Sequence, residues 1–140
     1  MRWPILFLLG LIFLGCAESA ITKEELRHLN GYWEISSVMF PDGEQKDYGI
    51  NPTIDFIQLE GTQGYRKKMQ PKFDGSYQTS NQTEAFEVIQ SQEYFVFSYE
   101  QNLDERRETL IQLDSLSYTV RDEEGVQYAY KRFQPISIPK

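Results

Sequence analysis

The sequence has one cysteine, Cys16, one histidine, His28, and no apolar run longer than Ile5 to Leu14. A lone histidine on a predicted N-terminal helix leaves no Ser-His-Asp triad and no histidine-based metal site. A helix across the hydrocarbon core takes ~20 apolar residues, so Ile5 to Leu14 is too short to span a bilayer. Basic residues are also in deficit: 14 Lys plus Arg stand against 21 Asp plus Glu, for a net charge of −7. Such a balance argues against nucleic acid and against a polybasic grip on anionic lipid.

What the N-terminus has is a sequence of three zones. Arg2 supplies a positive start, Ile5 to Leu14 an apolar run broken only by Gly10, and Gly15-Cys16 a small residue before the sole cysteine. That is the length and order of an export signal. Phe13-Leu14-Gly15-Cys16 resembles the lipobox of bacterial lipoproteins, although Phe13 and Leu14 stand where that family usually has leucine and a small residue. The resemblance implies cleavage before Cys16, lipid on that cysteine, and attachment to a membrane of the cell envelope. Ala17, rather than the aspartate that favours inner-membrane retention, implies the outer membrane over the inner. Acyl chains contribute ~0.8 kcal/mol per buried methylene, and two or more make attachment stable. With Cys16 acylated no thiol remains for disulfides, zinc or nucleophilic catalysis, so the core must hold without cross-links. Removing residues 1–15 of 140 leaves 125, and the charge becomes −8 because Arg2 goes with them. That length suits one domain with one core.

Residues 16–21 read as a tether, of which Ala17 to Ile21 reaches at most about 17 Å at ~3.4 Å per residue. Thr22-Lys23-Glu24-Glu25 is a capping-box pattern followed by Leu26 and Leu29, which predicts one short helix over 22–29. After Asn30-Gly31 the hydrophobic period changes to two. Strands are expected near 32–40, 53–60, 64–71, 75–80, 84–90, 93–100, 106–113, 115–121 and 126–133, separated by turn residues such as Pro41-Asp42-Gly43, Asp74-Gly75, Asn102-Leu103-Asp104 and Glu123-Glu124-Gly125. Turns at that spacing predict an all-β barrel or sandwich, and the absence of crossover helices makes its sheet antiparallel. The domain is expected over 22–134, with 135–140 as a tail. Alternation along the first strand puts Trp33, Ile35, Ser37 and Met39 on one inward face.

Leu29-Asn30-Gly31-Tyr32-Trp33-Glu34-Ile35 resembles the Gly-x-Trp opening of lipocalins, in which a short helix precedes Gly, any residue and Trp at the start of the first strand. The far end supplies Tyr128-Ala129-Tyr130-Lys131-Arg132-Phe133. In lipocalins an arginine there lies across the tryptophan and closes the barrel; Arg132 is the candidate, Lys131 the substitute. The resemblance covers residues 26–133 in layout and rests on Gly31, Trp33 and Arg132. It implies an up-and-down antiparallel barrel, a monomer, and a small-molecule binder of the Gram-negative envelope.

Candidates for chemistry are few. Asp104-Glu105, Asp122 and Glu123-Glu124 fall at predicted hairpin ends, where charges usually face solvent. Arg66-Lys67-Lys68 alternates across a strand, so either Lys67 or the other two face inward, where an anionic headgroup would meet them. Phe95, Phe97 and Tyr99 share one face, as do Tyr118 and Val120, and Tyr128, Tyr130 and Arg132. These stripes give either a solid core or a pocket walled by tyrosines, and a filled or narrow barrel is favoured. Ligand contacts are expected from Phe97, Tyr99, Tyr118, Tyr128 and Tyr130. No nucleophile–base pair, cofactor motif or metal-ligand cluster is visible, so the expected protein is non-enzymatic. It either binds a small apolar or amphipathic molecule or acts as a solid-core envelope scaffold.

Overall fold

A computed structural model describes residues 20–101 and 104–134. The expected signal, Cys16, most of the tether, the turn residues Asn102-Leu103 and the tail 135–140 lie outside the described residues. A 3₁₀ helix (Glu24–Leu29) is followed by β1 (Gly31–Met39), β2 (Gln45–Asp47), β3 (Ile54–Glu60), β4 (Gln63–Pro71), β5 (Tyr77–Ser91), β6 (Tyr94–Gln101), β7 (Asp104–Leu113), β8 (Ser117–Asp122) and β9 (Gln127–Arg132). Neighbours in sequence pair antiparallel from β3 to β9, and β9 returns to pair with β1 from Trp33↔Arg132 to Met39↔Gln127. With β1 pairing β3 as well, eight strands close an antiparallel barrel, and β2 is a short addition on β1.

The seam between β1 and β3 is the weak point of that closure. Their pairing stops after Trp33↔Asp55, and β2 takes over on the same edge only at Ser37↔Asp47. Between the two, Tyr48 N–H donates to the Ser36 carbonyl (2.9 Å) and Asn51 Nδ2 to the Ile35 carbonyl (3.0 Å). The loop before β3 thus satisfies backbone groups that no strand reaches.

Three details depart from the pattern in the sequence. The segments expected as strands 75–80 and 84–90 are one strand, β5. Between Lys67↔Thr83 and Met69↔Thr79, β5 advances four residues while β4 advances two, so the polar stretch that looks like a break is a bulge. The three-residue β2 has too little apolar pattern to stand out in the sequence. In β1, a register shift between Ile35 and Ser37 reverses the alternation: Val38 is buried and Met39 is 42% exposed, the opposite of the simple period-two expectation. The N-terminal capping box does form, with Thr22 N–H donating to Glu25 Oε2 (2.8 Å) and Glu25 N–H to Thr22 Oγ1 (3.3 Å), but on a 3₁₀ turn. Ile21, expected in the tether, packs against the core.

The 3₁₀ helix drops Leu26 and Leu29 into the end of the barrel where β1 begins. Trp33 is fully buried there, and its Nε1–H donates to the Leu29 carbonyl at 2.8 Å. The Arg132 guanidinium lies 3.7 Å above the centroid of the Trp33 ring. It is fixed by donating to the carbonyls of His28 (2.7 Å), Asn30 (2.8 Å) and Ser115 (3.2 Å). Gly31 is required twice over: its φ is +122°, and a Cβ there would sit 2.6 Å from Arg132 Nη1.

Losing the Trp33 ring should therefore cost ~3–5 kcal/mol, against about 2 kcal/mol for Arg132→Ala. Gly31→Ala should also destabilise, and its cost should shrink in an Arg132→Ala background because one clash disappears. Urea denaturation of the four variants measures this; strictly additive costs for Gly31→Ala and Arg132→Ala would show that the close approach is not felt.

Candidate functional site

From that floor the barrel interior fills with rings. Trp33 meets Tyr118 edge-on (4.7 Å, 89°), and Tyr118 stacks on Tyr130, its cross-strand partner (4.7 Å, 12°). Phe86 lies against Phe97 (5.2 Å) and Tyr99 (5.3 Å). Leu110, Val120, Val88 and Ile57 fill the remaining space. An eight-stranded barrel is just wide enough for side chains to fill it, and these do so over its lower half.

At the other end the inward stripes turn polar. Arg66, 8% exposed, donates from Nη2 to Asp55 Oδ2 (2.8 Å) and to the Tyr130 hydroxyl (2.7 Å), with its guanidinium 5.1 Å from the Tyr130 ring centroid. Lys68 Nζ reaches the other Asp55 oxygen at 2.7 Å. Arg106 pairs with Glu84 (2.7 Å) and covers the Tyr99 ring at 4.3 Å. Glu108, 6% exposed, has only longer contacts to cations, 3.7 Å to Arg106 and 4.0 Å to Arg66. Asp122 Oδ2 accepts from the Tyr128 hydroxyl at 3.2 Å. These groups surround a recess of about 280 Å³ at the barrel mouth, lined by Arg66, Lys68, Glu84, Arg106, Glu108, Asp122, Tyr128 and Tyr130.

Burial raises both inward carboxyls, and the neighbouring cations decide where each one ends. Burial pushes the Asp55 carboxyl up, but Arg66 and Lys68 together pull it below the ordinary carboxylate range. For Glu108 burial prevails over Arg66 and Arg106, with Glu84 and Asp122 adding to it, and the carboxyl is raised. Burial also raises the Tyr99 hydroxyl to about 12 against the pull of Arg66. Among the described residues the buried Arg66 Nε and Tyr118 hydroxyl have no hydrogen-bond partner.

Of the expected ligand contacts, Tyr128 and Tyr130 line this recess. Phe97, Tyr99 and Tyr118 are packed beneath it, at 2%, 3% and 1% exposed. Arg66 faces inward and Lys68 stands at the rim. Asp122, expected on a solvated face, turns toward the recess. Asp55, Glu84, Arg106 and Glu108 were not foreseen. Their signal is phase: each continues an inward apolar stripe at period two, as in Asp55-x-Ile57, Glu84-x-Phe86-x-Val88 and Arg106-x-Glu108-x-Leu110.

A second concavity, about 760 Å³, lies outside the wall along the β1–β3 seam. The 48–53 loop and the β4–β5 hairpin flank it, with Ile50 97% and Phe73 84% exposed. Tyr77 stacks there on Tyr32 (4.7 Å, 9°), with Phe56 and Phe133 adjoining. Among the described residues no group of His, Cys, Asp and Glu suits a metal, and no helix is long and apolar enough to cross a membrane.

No family model and no curated protein matches the chain. Among solved structures, apocrustacyanin C1 is 9% identical, aligned over 83% of this chain and 67% of its own, with a TM-score of 0.50. The fold is lipocalin-like. A lipocalin-like protein from Bacteroides uniformis ATCC 8492 is 11% identical over 76% of this chain and 99% of its own (TM-score 0.48). A de novo designed fluorescence-activating β-barrel is 18% identical over 76% and 95% (TM-score 0.45). At such identities the likeness concerns the fold alone.

The two shifted carboxyls predict a pH signature. Asp55, lowered, contributes stability present above its unfolded value near 3.8 and lost as pH falls. Glu108, raised above 4.5, favours the folded state when protonated, and that contribution is lost as pH rises through its folded value. Glu108→Gln should therefore melt higher than wild type at about pH 8, the advantage shrinking toward about pH 5. Arg66→Met, which leaves Asp55 and Glu108 buried without their shared cation, should cost ~3–5 kcal/mol. Thermal melts across that range decide both; a Glu108→Gln melting advantage independent of pH would contradict the first.

Proposed function

We propose that this chain is a lipid-anchored, non-enzymatic protein of the cell envelope, whose barrel binds one small amphipathic molecule at its mouth. The observation that carries the binding is the recess itself: tyrosine-walled, lined with charges, and floored by a packed aromatic core. Sites for small molecules typically run from ~300 Å³ upward, so the recess suits a ligand at the small end of that range. A wholly apolar ligand is disfavoured, because it would cover buried charges without replacing their hydrogen bonds. The anchor is supported by Arg2, the apolar run to Leu14 and the Gly15-Cys16 junction. Ala17 favours the outer membrane, and the absence of a nucleophile–base pair favours binding over catalysis.

The outer groove favours a second role, as a scaffold that meets another protein through Ile50 and Phe73. Exposed apolar side chains beside a concavity are a common mark of such contacts.

Native mass spectrometry of the full chain, purified from its own host's membranes, tests the first role. A stoichiometric small adduct that survives desalting and is lost on unfolding is expected. A chain with no adduct, together with a specific cross-link formed from position 73 in cells, would favour the scaffold instead. For the anchor, Cys16→Ser should move the protein out of the processed membrane fraction; unchanged fractionation and processing would refute it.

A further inference from the structure

The mouth recess holds more carboxylates than its cations can serve. Asp55 on β3 takes both Arg66 and Lys68 of β4, at 2.8 and 2.7 Å. Glu84 on β5 takes Arg106 of β7 at 2.7 Å. The closest contacts of the three cations thus go to two carboxylates, and Glu108 has only longer ones, 3.7 Å to Arg106 and 4.0 Å to Arg66. Glu108 on β7 and Asp122 on β8 remain, and they are direct cross-strand partners. Like charges in that position repel, and with Glu108 buried and Asp122 half-buried the repulsion is screened less than between exposed groups. Asp122 has hydrogen bonds from the backbone N–H of Glu124 and Val126 and from the Tyr128 hydroxyl. Among the described residues Glu108 accepts no hydrogen bond, although its side chain is only 8% exposed. The remaining groups facing this pair are Tyr99 on β6 and Tyr128 and Tyr130 on β9, rings that add no positive charge.

We propose that the ligand of the recess carries an ammonium group, held between the Glu108 and Asp122 carboxylates and against the Tyr128 and Tyr130 rings. This rests on the recess being the binding site, and it specifies the chemistry of the ligand's head. An ammonium supplies the donors that Glu108 lacks and separates two like charges. The ring faces of Tyr128 and Tyr130 attract the same cation. An anionic ligand would instead add a fifth negative group to Asp55, Glu84, Glu108 and Asp122, against three cations. Burial raises the Glu108 carboxyl more than Arg66 and Arg106 lower it, so the cations at hand do not offset its desolvation.

Three probes matched in size isolate the head group: 2-phenylethylamine, 2-phenylethanol and phenylacetate. Each is titrated calorimetrically into the full chain in non-ionic detergent at about pH 7.5. The amine should saturate one site, with the alcohol and the carboxylate at least tenfold weaker. Glu108→Gln should weaken the amine at least tenfold, leave the alcohol unchanged and not lower the melting temperature. Equal binding of amine and alcohol would overturn the ammonium while keeping the recess as a site. Tighter binding of phenylacetate, or unchanged amine affinity in Glu108→Gln, would also overturn it. Failure of all three probes rejects the ammonium, and the native mass measurement then reports separately on the recess.

Discussion

The contact between the Arg132 guanidinium and the Trp33 ring sets what the inside of this barrel can be. It joins the last strand to the first, and three backbone carbonyls fix the cation so that Trp33 has one orientation. A continuous column rises from it: Trp33 against Tyr118, Tyr118 on Tyr130, and Tyr130 beneath Arg66. Every member is ring or guanidinium, so each contact gains from edge-on, stacked or cation–ring attraction as well as from burial. A ring column along the interior of an eight-stranded barrel leaves no room for a deep apolar pocket. The space that remains inside is the recess at the top of the column.

Arg66 is where the column changes character. A guanidinium buried this deeply costs several kcal/mol in desolvation unless partners compensate. Asp55 and the Tyr130 hydroxyl supply that compensation, and Lys68 then balances Asp55 from the rim. Networks of this kind seldom add net stability over apolar packing of similar volume. Their value lies in holding polar groups at fixed positions where solvent is mostly excluded. The mouth therefore has charges in a defined geometry, which the proposed ligand would meet without having to order them.

Much of the architecture is legible in the residue pattern alone. Period-two stripes separated by Gly, Asp and Asn turns specify an antiparallel meander, and Gly31-x-Trp33 with Arg132 marks its two joined ends. Local readings failed where a single residue changed phase. The bulge after Ile35 buries Val38 and releases Met39, because register depends on the partner strand. The polar stretch between Thr79 and Thr83 imitates a turn, yet its neighbours continue to pair with β4 on either side. The candidate site was half legible: Tyr128, Tyr130 and the inward option for Arg66 came from alternation alone. Asp55, Glu84 and Glu108 drew no attention as charges, since a residue's own type says nothing of how far up a barrel its stripe extends. Their phase with the apolar residues held the information. The outer groove had no such signal, because it joins a loop and a hairpin tip far apart in the sequence.

The direction of the mouth follows from where the chain enters the barrel. Ile21 packs on the core, and Ala20 and Ile21 adjoin Phe95, Leu110 and Ile111 near the closed end. Cys16 lies five residues earlier, so a lipid there would be within about 17 Å of that end at ~3.4 Å per residue. An anchored molecule would thus present its closed floor to the bilayer and its charged mouth to the aqueous side. A ligand drawn from lipid would have to leave the bilayer and travel the full length of the barrel to reach the recess. A small, water-soluble cation would arrive there directly. The acidic excess of the whole chain would raise its local concentration near the surface at low ionic strength. Chain entry, recess size and charge shortage therefore favour a ligand that comes from solution, and a lipid on Cys16 would then serve to place the site, with no part in delivering its occupant.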